Sequence, residues 1–246
     1  MKKILLKNAN LVLENKIEKA TVLLCEDKIE KIFSKDSDLS QITYDELIDL
    51  EGKYLGPAFV DVHVHGADGA DAMDIDEEAL RRISKYLAKE GTANFLVTTL
   101  TSTKDELKNV LEIAGKLQNK EIDGANIFGV HMEGPYFAVE YKGAQNEKYI
   151  KPAGIEELEE YLSVKEGLVK LFSISPHTQE NLEAIKYLQS MGCSCDFFMI
   201  GTYENSSLDI QLKKIKSFKY KSKLYKVYYG EDKNKGKDIR FKFWNL

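Results

Sequence analysis

Apolar residues fall into two rhythms along the chain. Over residues 3–33 they come in short runs, ILLKNANLVL, KATVLLCE and KIEKIF, punctuated by Asn-Lys and Asp-Lys pairs. Such runs predict a meander of short strands. A small sheet is therefore expected ahead of the main domain, with a polar connection over 34–48. From Pro57 the rhythm changes. The apolar strand AFVDVHVH precedes a helical stretch, DEEALRRISKYLAKE, which opens on acidic residues and stops at Gly91. Strand NFLVTTL leads into helix TKDELKNVLEIAGKLQ, where Thr103 and Glu106 form a capping-box pattern. Strand NIFGVHME, helix GIEELEEYL, strand LVKLFSIS and helix TQENLEAIKYLQSMG follow. Four alternations of strand and helix predict a parallel α/β architecture, as an open sheet or a barrel.

The pattern then fails. Residues 211–246 carry 12 Lys and Arg against 3 Asp and Glu, whereas residues 1–210 carry 23 basic and 37 acidic side chains. KKIKSFKYKSKLYKVYY alternates lysines with aromatic or apolar residues. This tail reads as a solvated end or as a basic arm that touches nucleic acid or an acidic surface. For the whole chain, a net charge of -5 over 246 residues argues against nucleic acid as a partner. A hydrophobic content of 43% supports a true core. The N-terminus lacks the apolar stretch and small-residue cleavage site of a signal peptide. No apolar run reaches about 18 residues, so no membrane span is predicted. Three cysteines, Cys25, Cys193 and Cys195, form no disulfide pattern. The expected setting is the cytoplasm.

Candidate chemistry sits at two strand ends. Alternate strand residues share a face, so Asp61, His63 and His65 point one way and Val60, Val62 and Val64 the other. The valine face is expected beneath helices, with the histidines at the strand's C-terminal end, where βα active sites lie. Two imidazoles there suit a divalent metal; the alternative is a hydrogen-bonded pair in a polar layer. In GVHMEGPYF, His131 and Glu133 share a face, and Glu133 precedes the turn signal Gly134-Pro135. Glu133 opposite two histidines completes a nitrogen and oxygen ligand set; alone, it would pair with a lysine. His131 is a further ligand or orients Glu133 or a ligand from behind. The hydroxyls of Thr98, Thr99, Thr101 and Ser102 either meet a ligand or cap a helix. The loop YKGAQNEKYIKP is polar: its lysines and amides suit an anionic, oxygen-rich ligand, or merely solvate the surface.

GPAFVDVHVHGADGADAMD, GTANFLVTTLTS, GVHMEGPYF and YKGAQNEKYIKP, in this order, resemble the N-acetylglucosamine-6-phosphate deacetylases of the amidohydrolase superfamily. The resemblance covers roughly residues 1–192, and HMEGP followed by KGAQN is its specific part. It implies a partial (β/α) barrel of the amidohydrolase type, preceded by a small N-terminal β-sandwich segment. It implies Glu133, His63 and His65 as metal residues, and His131 and Asp61 behind them. Ala144 and Gln145 match the substrate-contacting pair, and some members carry His in place of Gln145. Zinc or iron is the implied metal, and an amino-sugar phosphate the implied small-molecule partner. The implied reaction is hydrolysis of the acetamide of N-acetylglucosamine 6-phosphate, with a homodimer as the implied assembly.

The match breaks after about Gly192. The family places a Gly-His-Thr strand there, then a second His and a catalytic Asp. This chain has no histidine after His177, and Ile200-Gly201-Thr202 resembles that motif without its His. Asp196 and Asp209 are the next carboxylates, neither in the family's Asp context, so no catalytic residue is assigned. The layout expected is a sandwich segment over 1–55, an incomplete barrel over 56–210 and a basic aromatic tail over 211–246, foreign to the family. A complete barrel takes about 250 residues, so about half of one fits here, with an open strand edge. The composition change fits a truncated or frameshifted deacetylase, impaired or inactive. The alternatives are a non-catalytic remnant that binds metal or sugar phosphate, and an amidohydrolase acting on a cyclic amide.

Overall fold

The computed structural model describes residues 1–196, together with the backbone of strand segments 217–220, 223–228 and 242–244. Ile200-Gly201-Thr202 and Asp209 lie outside the described residues, as do the side chains of the tail and therefore the reading of it as a basic arm. The chain divides into two compact units, Met1–Ala58 and Phe59–Leu246.

The first unit is one five-stranded sheet. Strands β1 (Lys3–Val12), β2 (Ile17–Cys25) and β3 (Lys28–Ser34) form the predicted antiparallel meander. Strands β4 (Glu46–Asp49) and β5 (Tyr54–Leu55) both pair parallel to β1. β4 begins inside the stretch expected to be a polar connection, because a four-residue strand such as ELID is too short to show a period. Leu5, Leu23 and Phe33 pack as one apolar cluster, and Leu11, Ala20 and Val22 as another.

The second unit holds the predicted strand and helix alternation. Strand β6 (Phe59–Val64) leads through a tiny hairpin, β7 (Gly66–Ala67) and β8 (Ala70–Asp71), into helix α1 (Glu77–Lys89). Then come β9 (Thr92–Thr98), α2 (Lys104–Leu117), β10 (Asn126–Glu133), α3 (Ile155–Ser163), β11 (Val169–Ser173), α4 (Gln179–Ser190) and β12 (Ser194–Asp196). The five long-range strands pair in parallel in the order β12-β11-β10-β9-β6. Each strand neighbours the next in sequence and the order never reverses. That is barrel winding, and it decides against a doubly wound sheet with its switch point. The sheet is an α/β half-barrel, and the C-terminal ends of its strands share one rim. Beyond it, segments Ser217–Tyr220, Lys223–Tyr228 and Lys242–Trp244 pair antiparallel in a sheet of three.

Local signals place the helices as read. Asp76 caps α1, and Gly91 takes a left-handed φ of 86° just after it. Thr103 and Glu106 close the capping box of α2, and Thr178 caps α4. Leu107, Leu111, Leu158 and Leu188 from the helices pack on Ile127, Val130, Met132 and Phe172 of the sheet. No helix among the described residues is long and apolar enough to cross a membrane.

One expectation fails. The valine face of β6 is covered only at Val64, which packs on the core: Val60 is 57% and Val62 49% exposed. Among the described residues β6 pairs with β9 alone and so stands at the edge of the sheet. Core and edge should thus respond differently to substitution. Leu111→Ala, at a fully buried site, is expected to cost about 2–5 kcal/mol in chemical denaturation. Val60→Lys is expected to stay within about 0.5 kcal/mol of the parent.

Candidate metal centre

Three polar side chains converge at the rim. His63 lies near the end of β6 and His65 directly follows the strand, while Glu133 is the last position of β10. One ligand atom from each lies within 4.8 Å of the other two. His65 Nε2 is 2.9 Å and His63 Nε2 3.6 Å from Glu133 Oε2. No lysine approaches Glu133 among the described ion pairs, which removes the simple reading of a strand-end salt bridge.

The neighbours fix these groups. Thr98, at the end of β9, accepts the Val64 N–H on its hydroxyl, and its carbonyl lies 3.2 Å from His65 Nδ1. A carbonyl only accepts, so Nδ1 carries the proton and Nε2 turns to Glu133. Thr99 accepts the Glu133 N–H on its hydroxyl. Gly134 follows with φ 81°, where a Cβ would run into Thr101 Oγ1 and Phe137. The strand therefore turns away immediately after its carboxylate.

The donor set fits a cation. Glu133 is 6% exposed, and its Oε2 receives no hydrogen bond of good direction, although His65 Nε2 stands at hydrogen-bond distance. A neutral imidazole lone pair facing a carboxylate oxygen needs a positive charge between them. A proton supplies it, and so does a divalent ion with borderline nitrogen and oxygen ligands. The His-His-Glu group is a site able to hold a metal ion.

His131 lies beneath this group, fully buried, its ring centroid 5.0 Å from that of His63. Its nitrogens are both occupied by protein. Nδ1 is 3.1 Å from the Val62 carbonyl, and Nε2 is 2.7 Å from Ser173 Oγ on β11. Ser173 Oγ is in turn 2.5 Å from Asp196 Oδ1 on β12. The hydroxyl has one proton to give. If it goes to Asp196, His131 is an imidazolium and Asp196 a carboxylate. If it goes to His131, Asp196 keeps its own proton and donates it to Ser173. Burial holds His131 down to about 4 and raises Asp196, so both ends favour the uncharged arrangement.

The other candidates are placed as follows. Asp61 spends its carboxylate on the His63 N–H, 3.0 Å away, and does not join the ligand cluster. Ser102 and Thr103 hydrogen-bond Glu106 at the start of α2, so their hydroxyls serve the helix end. Gln145 is buried, and its side-chain carbonyl accepts the Thr101 N–H at 2.7 Å, while Ala144 is exposed. Sequence reading gave no role to Ser173 and saw Asp196 only as the next carboxylate downstream.

No family model matches the chain. N-acetylglucosamine-6-phosphate deacetylase of Vibrio furnissii is 34% identical to it over 138 residues, which is 56% of this chain and 35% of that enzyme. Over those residues the chain is similar to N-acetylglucosamine-6-phosphate deacetylases. N-acetylgalactosamine-6-phosphate deacetylase of Escherichia coli is 30% identical over 139 residues, covering 56% of this chain and 37% of that enzyme. Among solved structures, N-acetylglucosamine-6-phosphate deacetylase from Thermotoga maritima superposes with a TM-score of 0.62 at 26% identity, over 78% of this chain and 48% of that one. The chain thus spans about a third of the length of these curated deacetylase relatives.

The pocket sets a pH dependence. Its interaction with Glu133, opposed by burial, raises His65 above its ordinary 6.5. Burial works to raise Glu133, but the His65 contact and the neighbouring imidazole charges outweigh it and hold the carboxyl below 4.5. The His65 contribution to stability is complete below 6.5 and fades as pH rises through its elevated value. The Glu133 contribution is complete above 4.5 and fades as pH falls through its depressed value. In the metal-free protein the pair therefore stabilises most between 4.5 and 6.5. Melting temperature should fall from about pH 6 to about pH 8, and Glu133→Gln should flatten that fall. Zinc affinity should rise over the same interval, since metal and proton compete for His65.

Proposed function

We propose that this half-barrel carries the metal site of a hexosamine-6-phosphate deacetylase, with His63, His65 and Glu133 as its ligands. The convergence of these three side chains at the rim carries the reading. Zinc or iron is the metal the donor set suits best. The corresponding reaction is hydrolysis of the acetamide of N-acetylglucosamine 6-phosphate to glucosamine 6-phosphate and acetate. A divalent ion held by His63, His65 and Glu133 would supply an activated water and polarise the amide carbonyl.

The remaining work falls to the protein. Thr98 holds the His65 ring with Nε2 toward the pocket. The Glu133 carboxylate supplies negative charge from a buried position. Gln145, anchored on Thr101, holds the loop over 141–152 beside the strand end, with Ala144 on its exposed side. Ala144 and Gln145 are the substrate-contacting residues of this reading, and Asp61 and His131 support the histidine strand. A homodimer and a cytoplasmic setting complete it.

No described residue stands in the role of the family's catalytic Asp, and a fourth ligand from histidine is not available within the cluster. Loss of one such group costs orders of magnitude in rate. The chain is therefore read as metal-binding and impaired in turnover. Calorimetric titration should show one zinc site, lost in His65→Ala and in Glu133→Gln while both variants still melt cooperatively. Acetate release from N-acetylglucosamine 6-phosphate should lie orders of magnitude below ordinary turnover of about 1–10³ s⁻¹. Zinc binding that survives both substitutions would contradict the ligand assignment. Ordinary turnover would contradict the impaired reading.

A further inference from the structure

The peptide unit between Val62 and His63 sits where β6 leaves its ladder. Register with β9 is regular at Val60 and Asp61, then shifts before Val64. Among the described residues, no strand pairs with the other side of β6. Both polar groups of this peptide are instead held by side chains. The Val62 carbonyl faces His131 Nδ1 at 3.1 Å, and the His63 N–H is taken by Asp61 Oδ1 at 3.0 Å. His131 is itself held by Ser173, and Ser173 by Asp196. A continuous hydrogen-bonded line thus crosses the rim from β12 through β11 and β10 to β6, ending at the backbone of His63.

We infer that Ser173 and Asp196 are positioning residues for the metal pocket, acting through His131 on the Val62–His63 peptide to set where the His63 imidazole stands. A ring with one nitrogen on a fixed carbonyl and the other on a fixed hydroxyl cannot rotate without breaking a bond. Were Ser173 absent, Nε2 would face a buried gap and the ring would be free to seek another partner, releasing the Val62 carbonyl. Residues that orient a ligand from behind typically change metal affinity about 10–100-fold when lost. Neither Ser173 nor Asp196 belongs to the cluster of ligand atoms, so their effect is indirect.

This inference rests on the metal reading for its purpose but not for its test. In the metal-free protein, ¹⁵N-edited NMR should show His131 protonated on Nδ1, with that proton and the His63 amide protected from exchange. Ser173→Ala and Asp196→Ala should lose this protection, while Ser173→Thr, which keeps a hydroxyl, and Asp196→Asn should retain it. In parallel, zinc affinity by competition with a chromophoric chelator should drop at least about tenfold in the two Ala variants and recover in the conservative ones. The visible spectrum of bound Co²⁺ should shift in the same pattern. If the parent chain binds no zinc, the metal reading fails alone, and the exchange data still decide positioning. Unchanged protection of His131 and His63 in Ser173→Ala would overturn the inference. So would loss of zinc in the Ala variants that Thr and Asn fail to restore.

Discussion

A carboxylate as buried as that of Glu133 must be paired, solvated by fixed hydrogen bonds or neutralised, because an isolated charge in a low-dielectric interior is very costly. Among the described residues, its ion-pair partners are imidazoles, those of His63 and His65. The backbone N–H of Glu133 is held by Thr99, and His65 by Thr98, so the carboxylate has little freedom to turn outward. What remains is a cation between fixed donors. A proton meets that need below the elevated pKa of His65, and a metal ion meets it above.

Parallel pairing in sequence order makes this convergence possible. Strands added one after another bring all their C-terminal ends to one rim, so residues as far apart in sequence as His63 and Glu133 become neighbours with no long loop reaching between them. Val130 and Met132, on the other face of β10, pack beneath the helices, which holds the polar face rigid. The cost appears at β6. It bears both histidines and yet is the edge strand, half-exposed and irregular in register. The hydrogen-bonded line through His131, Ser173 and Asp196 grips the backbone of this strand with side chains.

Much of this was legible before any coordinates. Period-two spacing placed His63 with His65 and His131 with Glu133, and the capping box marked the start of α2, because both signals act over a few residues. The strand and helix alternation gave the architecture class. Other features were not legible, for physical reasons. The exposure of Val60 and Val62 depends on which strands flank β6, a tertiary fact that a strand's own composition does not carry. The strand β4 was too short to show a pattern. Asp61 shares a face with the histidines by count, but its carboxylate bends back to the His63 N–H. Ser173 and Asp196 lie in unremarkable contexts, LFSIS and CSCD, and acquire a role only when register sets them side by side at the rim.

Two imidazoles and one carboxylate at the rim are proposed to form a single metal pocket. X-ray absorption at the zinc edge of the loaded full-length chain tests it most directly. The account predicts a first shell of nitrogen and oxygen only, with the outer-shell scattering of two imidazoles, and the loss of one imidazole in His63→Ala. A shell containing sulfur, which would place the ion at Cys193 or Cys195, or an imidazole count unchanged in His63→Ala, would contradict it.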